Sequence, residues 1–237
     1  MLTVPAVALA ELVAEPLDFV WIDLEHGALD TADVQPLAVA VRAAGCAAFA
    51  RLANSDSPRL PAVLDAGVDG VVAPRVESAG QARRLVDRLR HPPRGSRGFA
   101  ARRGTAYGRS ADACDPLCLV QIESTAGVEA ADEIAAVDGV DALVVGCADL
   151  ALALDGTLEP SSPRVRDAIA HVQGAAEAEG IASGIAGPDD GQLLLELAAE
   201  TSTLLACSAD VRMYARAVDE AVARLRAPVR EGFGVGA

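Results

Sequence analysis

The sequence predicts a single α/β domain folded as a (β/α)₈ TIM barrel with a short first strand. Three observations predict it. Short apolar, β-branched runs alternate with longer amphipathic stretches along the whole chain. Those runs are apolar at successive positions, as strands covered on both faces by helices must be. No GxGxxG turn follows the first clear run, which removes the main support for an open dinucleotide-binding sheet.

Taken in order, the expected strands are 18–23 (DFVWID), 46–51 (CAAFAR), 70–74 (GVVAP), 117–123 (LCLVQIE), 141–146 (DALVVG), 181–185 (IASGI) and 203–207 (TLLAC). Helical periodicity fills the intervals at 32–44, 78–89, 127–136, 163–179, 189–199 and 210–226. That gives seven clear strands, and only the stub before Pro5 can supply an eighth. No linker interrupts the pattern, so residues 1–227 are read as one domain and 228–237 as a disordered tail.

Composition narrows the function. The chain has 237 residues and a formal net charge of −14. Binding to nucleic acid draws on Lys and Arg to release phosphate counterions, so such acidity argues against that partner. All 20 basic residues are arginine. Without lysine there is no Schiff-base aldolase chemistry, no lysine-bound pyridoxal phosphate and no P-loop. Cys46, Cys114, Cys118, Cys147 and Cys207 form no CxxC pair and read as small buried hydrophobes of a reducing compartment. No apolar run reaches membrane-span length and no basic n-region opens the chain, so a cytoplasmic protein without membrane contact is expected.

In a barrel, catalytic groups sit where strands end. The first clear strand runs into Asp23, Glu25 and His26, the second ends on Arg51, the fourth on Gln121 and Glu123, and the fifth leads to Cys147, Ala148 and Asp149. Each residue also has a plainer reading. Glu123 can cap the next helix, Asp149 can serve as an N-cap, and Arg51 can pair with a surface carboxylate. His91 and His171 read as solvated.

The segments FVWIDLEHGALD, GVDGVVAPRVESAGQARRLVDRLRHPPRGSRGF, LVQIES and VDGVDALVVGCADLA follow one another in order. Together they resemble the HpcH/HpaI aldolase/citrate lyase family, the metal-dependent class II pyruvate aldolases, over nearly the whole chain. The resemblance implies a barrel of the phosphoenolpyruvate/pyruvate-binding type. It also implies that Glu123 and Asp149 bind the metal and that Arg51 polarises the 2-oxo oxygen. His26 would act as acid/base, oriented by Asp65, with Gln121 holding substrate or a ligand water. The backbone N–H groups around Ala148 and Asp149 would receive the pyruvate carboxylate, as helix N-termini do.

Chemistry points the same way. An enolate needs a cation beside its oxygen, and without lysine a hard divalent metal fills that need. Two carboxylate ligands suit Mg²⁺ or Mn²⁺, with Co²⁺ as a substitute. Histidine exchanges protons near neutral pH, as aldol chemistry requires. The expected substrates are pyruvate or another 2-oxo acid together with an aldehyde. Arg75, Arg97, Arg102 and Arg103 are candidates to recognise the aldehyde's tail. A homo-oligomer (dimer, trimer or hexamer) is implied, with the 210–226 helix exchanged between neighbours. A CoA-ester lyase and an inactive barrel serving as a scaffold are the other readings. The sequence departs from the family at its short start, at Cys147 in place of proline, and at Ala151, where the loop after the aspartate lacks a serine.

Overall fold

The computed structural model describes residues 1–110, 115–187, 191–198 and 202–231, with side chains followed to Arg226 in the last helix. Seven parallel strands form one sheet in sequence order: β1 (Phe19–Asp23), β2 (Ala47–Arg51), β3 (Gly70–Ala73), β4 (Leu117–Ile122), β5 (Ala142–Gly146), β6 (Ala182–Gly187) and β7 (Leu204–Cys207). These are the seven clear strands expected from the sequence, and a full eighth strand is not seen among the described residues.

A short N-terminal stub lies beside β1. Leu2, fully buried, makes an isolated parallel bridge to Ile22. Its N–H donates to Trp21 O at 2.7 Å, and Asp23 N donates to Leu2 O at 3.0 Å. On its other side the stub meets the exit from β7. Met1 N donates to Ser208 O at 3.0 Å, and Thr3 N donates to Asp210 Oδ2 at 2.9 Å.

Helices α1 (Val7–Ala14), α2 (Thr31–Ala43), α3 (Leu60–Asp65), α4 (Ala79–Leu89), α5 (Thr125–Glu129), α6 (Ala131–Ala135), α7 (Cys147–Asp155), α8 (Pro163–Ala178), α9 (Gly191–Ala198) and α10 (Asp210–Glu231) connect and cover the strands. Local chemistry starts several of them. Asp30 and Asp33 make a capping box for α2, while Ser78, Ser124 and Ser162 cap α4, α5 and α8. The single helix expected at 127–136 is two short ones, α5 and α6, breaking at Ala130. α10 runs to Glu231, past the start of the expected tail, and the rest of that stretch lies outside the described residues. No described helix is long and apolar enough to cross a membrane.

Strand side chains alternate between two cores. Val20, Ile22, Ala48, Ala50, Val71, Cys118, Val120, Leu143 and Val145 pack outward beneath the helices. Trp21, Phe49, Val72, Leu119, Ala142 and Val144 fill the inner face. Gly70 is required there, since a Cβ would lie 2.8 Å from the Phe49 ring and 2.9 Å from Leu117 O. The period of two then carries the inner face on to Asp23, Arg51, Gln121 and Gly146 at the strand ends, with Glu123 next in phase.

Of the five cysteines, Cys46, Cys118 and Cys147 are buried free thiols, Cys207 is exposed and free, and Cys114 lies outside the described residues. Burial pushes the Cys118 and Cys147 thiols up to about 12, which leaves them inert at neutral pH.

Candidate active site

A cavity of about 490 Å³ opens at the C-terminal ends of the strands, with His26, Arg51, Gln121, Gly146, Cys147, Ala148, Asp149, Ala186, Ser208 and Arg212 among its walls. The β1–β2 register explains its most ordered part. Asp23 lies directly opposite Arg51 on neighbouring parallel strands, both on the inner face. Arg51 Nε donates to Asp23 Oδ1 at 2.8 Å and Nη2 donates to Oδ2 at 2.7 Å, a bidentate fork. Arg51 Nη1 also lies 3.1 Å from Glu25 Oε2. The Asp23 side chain is 1% exposed and that of Arg51 9%, so the pair is buried rather than a surface contact. Burial alone would lower the Arg51 pKa. The hydrogen bonds and charge of Asp23, with Glu25 and Glu123 beyond, hold it above the ordinary value.

Asp23 also shapes the turn that follows β1. Its Oδ1 accepts from Glu25 N at 3.1 Å and from His26 N at 3.4 Å. One carboxylate therefore fixes both the guanidinium and the backbone that presents His26. The His26 side chain is 71% exposed at the mouth of the cavity, with Nε2 3.8 Å from Glu25 Oε1. Burial also raises Glu25, against the pull of Arg51 and His26.

Across the mouth, Gln121 Oε1 and Glu123 Oε1 are buried without a hydrogen-bond partner. Unsatisfied buried acceptors are costly unless a ligand completes them. Glu123 is pushed up to about 7, first by burial and then by the charges of Glu25 and Asp149, against Arg51 and Arg75. The room around both residues depends on Gly146. A Cβ there would stand 2.7 Å from Glu123 Cγ and 3.1 Å from Gln121 Nε2.

Gly146 is also the N-cap of α7, and no side chain caps that helix. Its first N–H groups, around Ala148 and Asp149, thus open onto the cavity with the positive end of the helix dipole. Asp149 occupies the first turn rather than the N-cap expected for it, and the cap of the helix after β4 is Ser124 rather than Glu123.

The structure brings His26, Arg51, Gln121, Glu123, Ala148 and Asp149 to one mouth. It does not bring Asp65 there. That residue ends α3, in the helical layer, and faces a separate depression with Gln35, Pro36 and Arg102. Asp23 and Glu25, noted in the sequence only as strand-end residues, emerge as the groups that hold Arg51. The signal was the acidic spacing D-x-E-H, but pairing across strands requires the register. His91 is not solvated: its Nδ1 lies 3.0 Å from Arg97 O, its Nε2 is buried, and its ring lies against Phe99. His171 is exposed, as expected, with Nε2 3.8 Å from Asp132 Oδ2. No cluster of three or more His, Cys, Asp or Glu suited to a metal occurs among the described residues.

Comparison with known proteins gives this geometry its class. The model of the HpcH/HpaI aldolase/citrate lyase family matches residues 5–216, and the chain belongs to that family. It is an enzyme of the aldolase class, a carbon–carbon lyase. A hydroxypyruvate/pyruvate aldolase of Rhizorhabdus wittichii is 34% identical over 95% of this chain and 90% of its own length. A 5-keto-4-deoxy-D-glucarate aldolase of Klebsiella pneumoniae is 33% identical over 86% of this chain and 81% of its own. Among solved structures, a family protein from Burkholderia cenocepacia superposes with a TM-score of 0.87 at 31% identity, covering 95% of this chain and 92% of its own.

Proposed function

We propose that the chain cleaves or forms 4-hydroxy-2-oxo acids through the enolate of pyruvate, with a divalent metal held by Glu123 and Asp149. The observation that carries this reading is the pair of partnerless buried acceptors, Gln121 and Glu123, facing a fixed guanidinium and an uncapped helix start across one cavity. The residues fit a hard cation. Two carboxylates supply oxygen ligands, Gly146 keeps Glu123 clear of backbone, and the orphaned Glu123 oxygen is buried. Mg²⁺ or Mn²⁺ suits such a set, and Co²⁺ can substitute. When bound, the cation supplies positive charge beside the 2-oxo oxygen as negative charge develops there.

The chain's own residues do the rest. With Nε and one Nη2 proton committed to Asp23, Arg51 retains N–H donors for the 2-oxo oxygen. The uncapped N–H groups of α7 bind the carboxylate of the 2-oxo acid. In the cleavage direction His26 accepts the proton of the 4-hydroxyl. The C3–C4 bond breaks, its electrons pass to C3–C2 as the enolate, and the aldehyde departs. A proton returned to C3 then gives pyruvate. Asp65 has no place in this scheme within one chain, since it faces another depression.

Pyruvate in D₂O tests the reading without a guess at the aldehyde. Methyl protons should exchange in the presence of Mg²⁺ or Mn²⁺ and stop exchanging when the protein is stripped of metal, as followed by NMR. Folded, metal-loaded protein that leaves the methyl signal intact would overturn the enolate reading.

The assembly belongs to the same proposal. α10 carries Val211, Tyr214, Val218, Val222 and Leu225 at helical spacing, and every side chain from Val211 to Arg226 is exposed. A second copy of the chain covers that stripe in a homo-oligomer. Light scattering should give more than one chain mass, and Val218→Asp with Val222→Asp should reduce it to one. The stub Met1–Val4, hydrogen-bonded on both sides, stands in for the missing strand and closes the sheet into a barrel. A cytoplasmic enzyme of small substrates belongs to the same reading.

A further inference from the structure

The four arginines that the sequence offered for an acceptor tail occupy different places. Arg97 is buried. Arg103 packs its stem against Gly67, where a Cβ would meet it at 2.7 Å, and Arg102 lines the depression of Asp65. Arg75 alone lies at the strand ends. It follows β3 by two residues, beyond Val72, which pairs with Arg51 in β2. On the β4 side, its neighbour Val76 donates its N–H to Gln121 O at 3.1 Å. Arg75 therefore stands on the sheet's upper edge between Arg51 and the Gln121–Glu123 segment.

Its backbone is unusual for its side chain. Arg75 has φ +52, in the left-handed region that Cβ-bearing residues avoid. Strain of this kind persists where the side chain has work at a site. The side chain is exposed and takes part in no ion pair among the described residues.

We infer that Arg75 is a specificity residue that binds a carboxylate at the far end of the acceptor, so that the enzyme favours acidic aldehydes, and 2-oxo diacids as their aldol products, over neutral ones. The inference rests on the aldolase reading of the cavity at the same strand ends. Arg51 is committed to Asp23 and Glu25, which leaves the charge for a distal carboxylate to an arginine outside that cluster. A planar guanidinium suits such a group through paired N–H donors.

The test uses two unreactive mimics of aldol products that lack the 4-hydroxyl: 2-oxoglutarate, with a distal carboxylate, and 2-oxopentanoate, without one. Calorimetric titration of the Mg²⁺-loaded protein should give about tenfold tighter binding of 2-oxoglutarate. Arg75→Gln should remove that preference, and Arg75→Lys should restore part of it. Arg75→Gly should lose the preference while raising the melting temperature, because it relieves the left-handed strain; a purely structural arginine would lower it. Equal weakening of both mimics in Arg75→Gln would mean that Arg75 acts only through the charge at Glu123, and would overturn the inference. So would an unchanged preference in Arg75→Gln that disappears in Arg212→Gln, or no binding of 2-oxoglutarate by the unaltered protein. Because neither mimic is turned over, a retained preference alongside absent pyruvate exchange would refute the enolate chemistry and leave the role of Arg75 standing.

Discussion

Asp23→Ala is expected to lower folding stability by about 3 kcal/mol, the larger of the two structural losses available at this site. The reason is what stays behind. Arg51 would remain buried with its fork empty, facing only Glu25 at 3.1 Å. A guanidinium does not shed its proton to escape burial, so the penalty falls on the fold. The turn after β1 would also lose the acceptor that holds Glu25 N and His26 N. Urea denaturation followed by the fluorescence of Trp21, the chain's single tryptophan, reads the loss directly. Asp23→Asn, which keeps the shape and one acceptor, should fall between the two. Replacing the pair together, Asp23→Leu with Arg51→Met, should recover most of the stability and none of the activity. A loss below about 1 kcal/mol in Asp23→Ala would show that Glu25 alone balances the guanidinium.

Glu123 should behave in the opposite sense. Glu123→Gln or Glu123→Ala is expected to abolish metal-dependent pyruvate exchange, a loss of a thousandfold or more on the scale set by removing a principal electrostatic group. Yet metal-free Glu123→Gln should be the more stable protein. The Glu123 carboxyl is raised to about 7 in the folded state by burial and by Glu25 and Asp149, from an ordinary value of 4.5. A raised acid leaves folding undisturbed below its unfolded pKa and weakens it as pH climbs to the folded one. The gain from glutamine should be absent below pH 4.5, grow between there and 7, and reach at most about 3 kcal/mol above. Thermal melts of both proteins in chelator at pH 4.5 and pH 8 check this. Equal melting temperatures at pH 8 would mean that the buried carboxylate is already balanced within the chain.

The strands were legible because each is apolar on both faces, a pattern that helices of this length do not produce. All seven fall within two residues of their expected positions. α3 was not foreseen, and α7 was expected only as a helix start near Asp149. α3 is six residues long, too short for a period to show, and α7 begins at Cys147, two residues before the capping position read for Asp149. The same shift moved Asp149 from a capping position to the first turn. Strand-end position sufficed to nominate Arg51, Gln121 and Glu123, since alternation on a strand is written in the sequence. Partnership was not. That Arg51 is gripped by Asp23 follows from register between strands, set by the packing of Trp21 beside Phe49 and not by any local motif. Asp65 came by resemblance alone, without a strand end beneath it, and its depression is separate from the mouth.

The stub at Met1–Val4 bears on how the chain is made. Every strand pairs with the next in sequence, so the sheet can grow in step with synthesis, from β1 towards β7. Leu2 can join β1 early, but Thr3 waits for Asp210, 207 residues later. Loop closure over that distance is entropically demanding and slow to be rewarded. Until the start of α10 leaves the ribosome, β7 has no neighbour on its far side and the nascent sheet carries an open edge. The bonds of Asp210 to Thr3 and Val4 are therefore among those that close this edge.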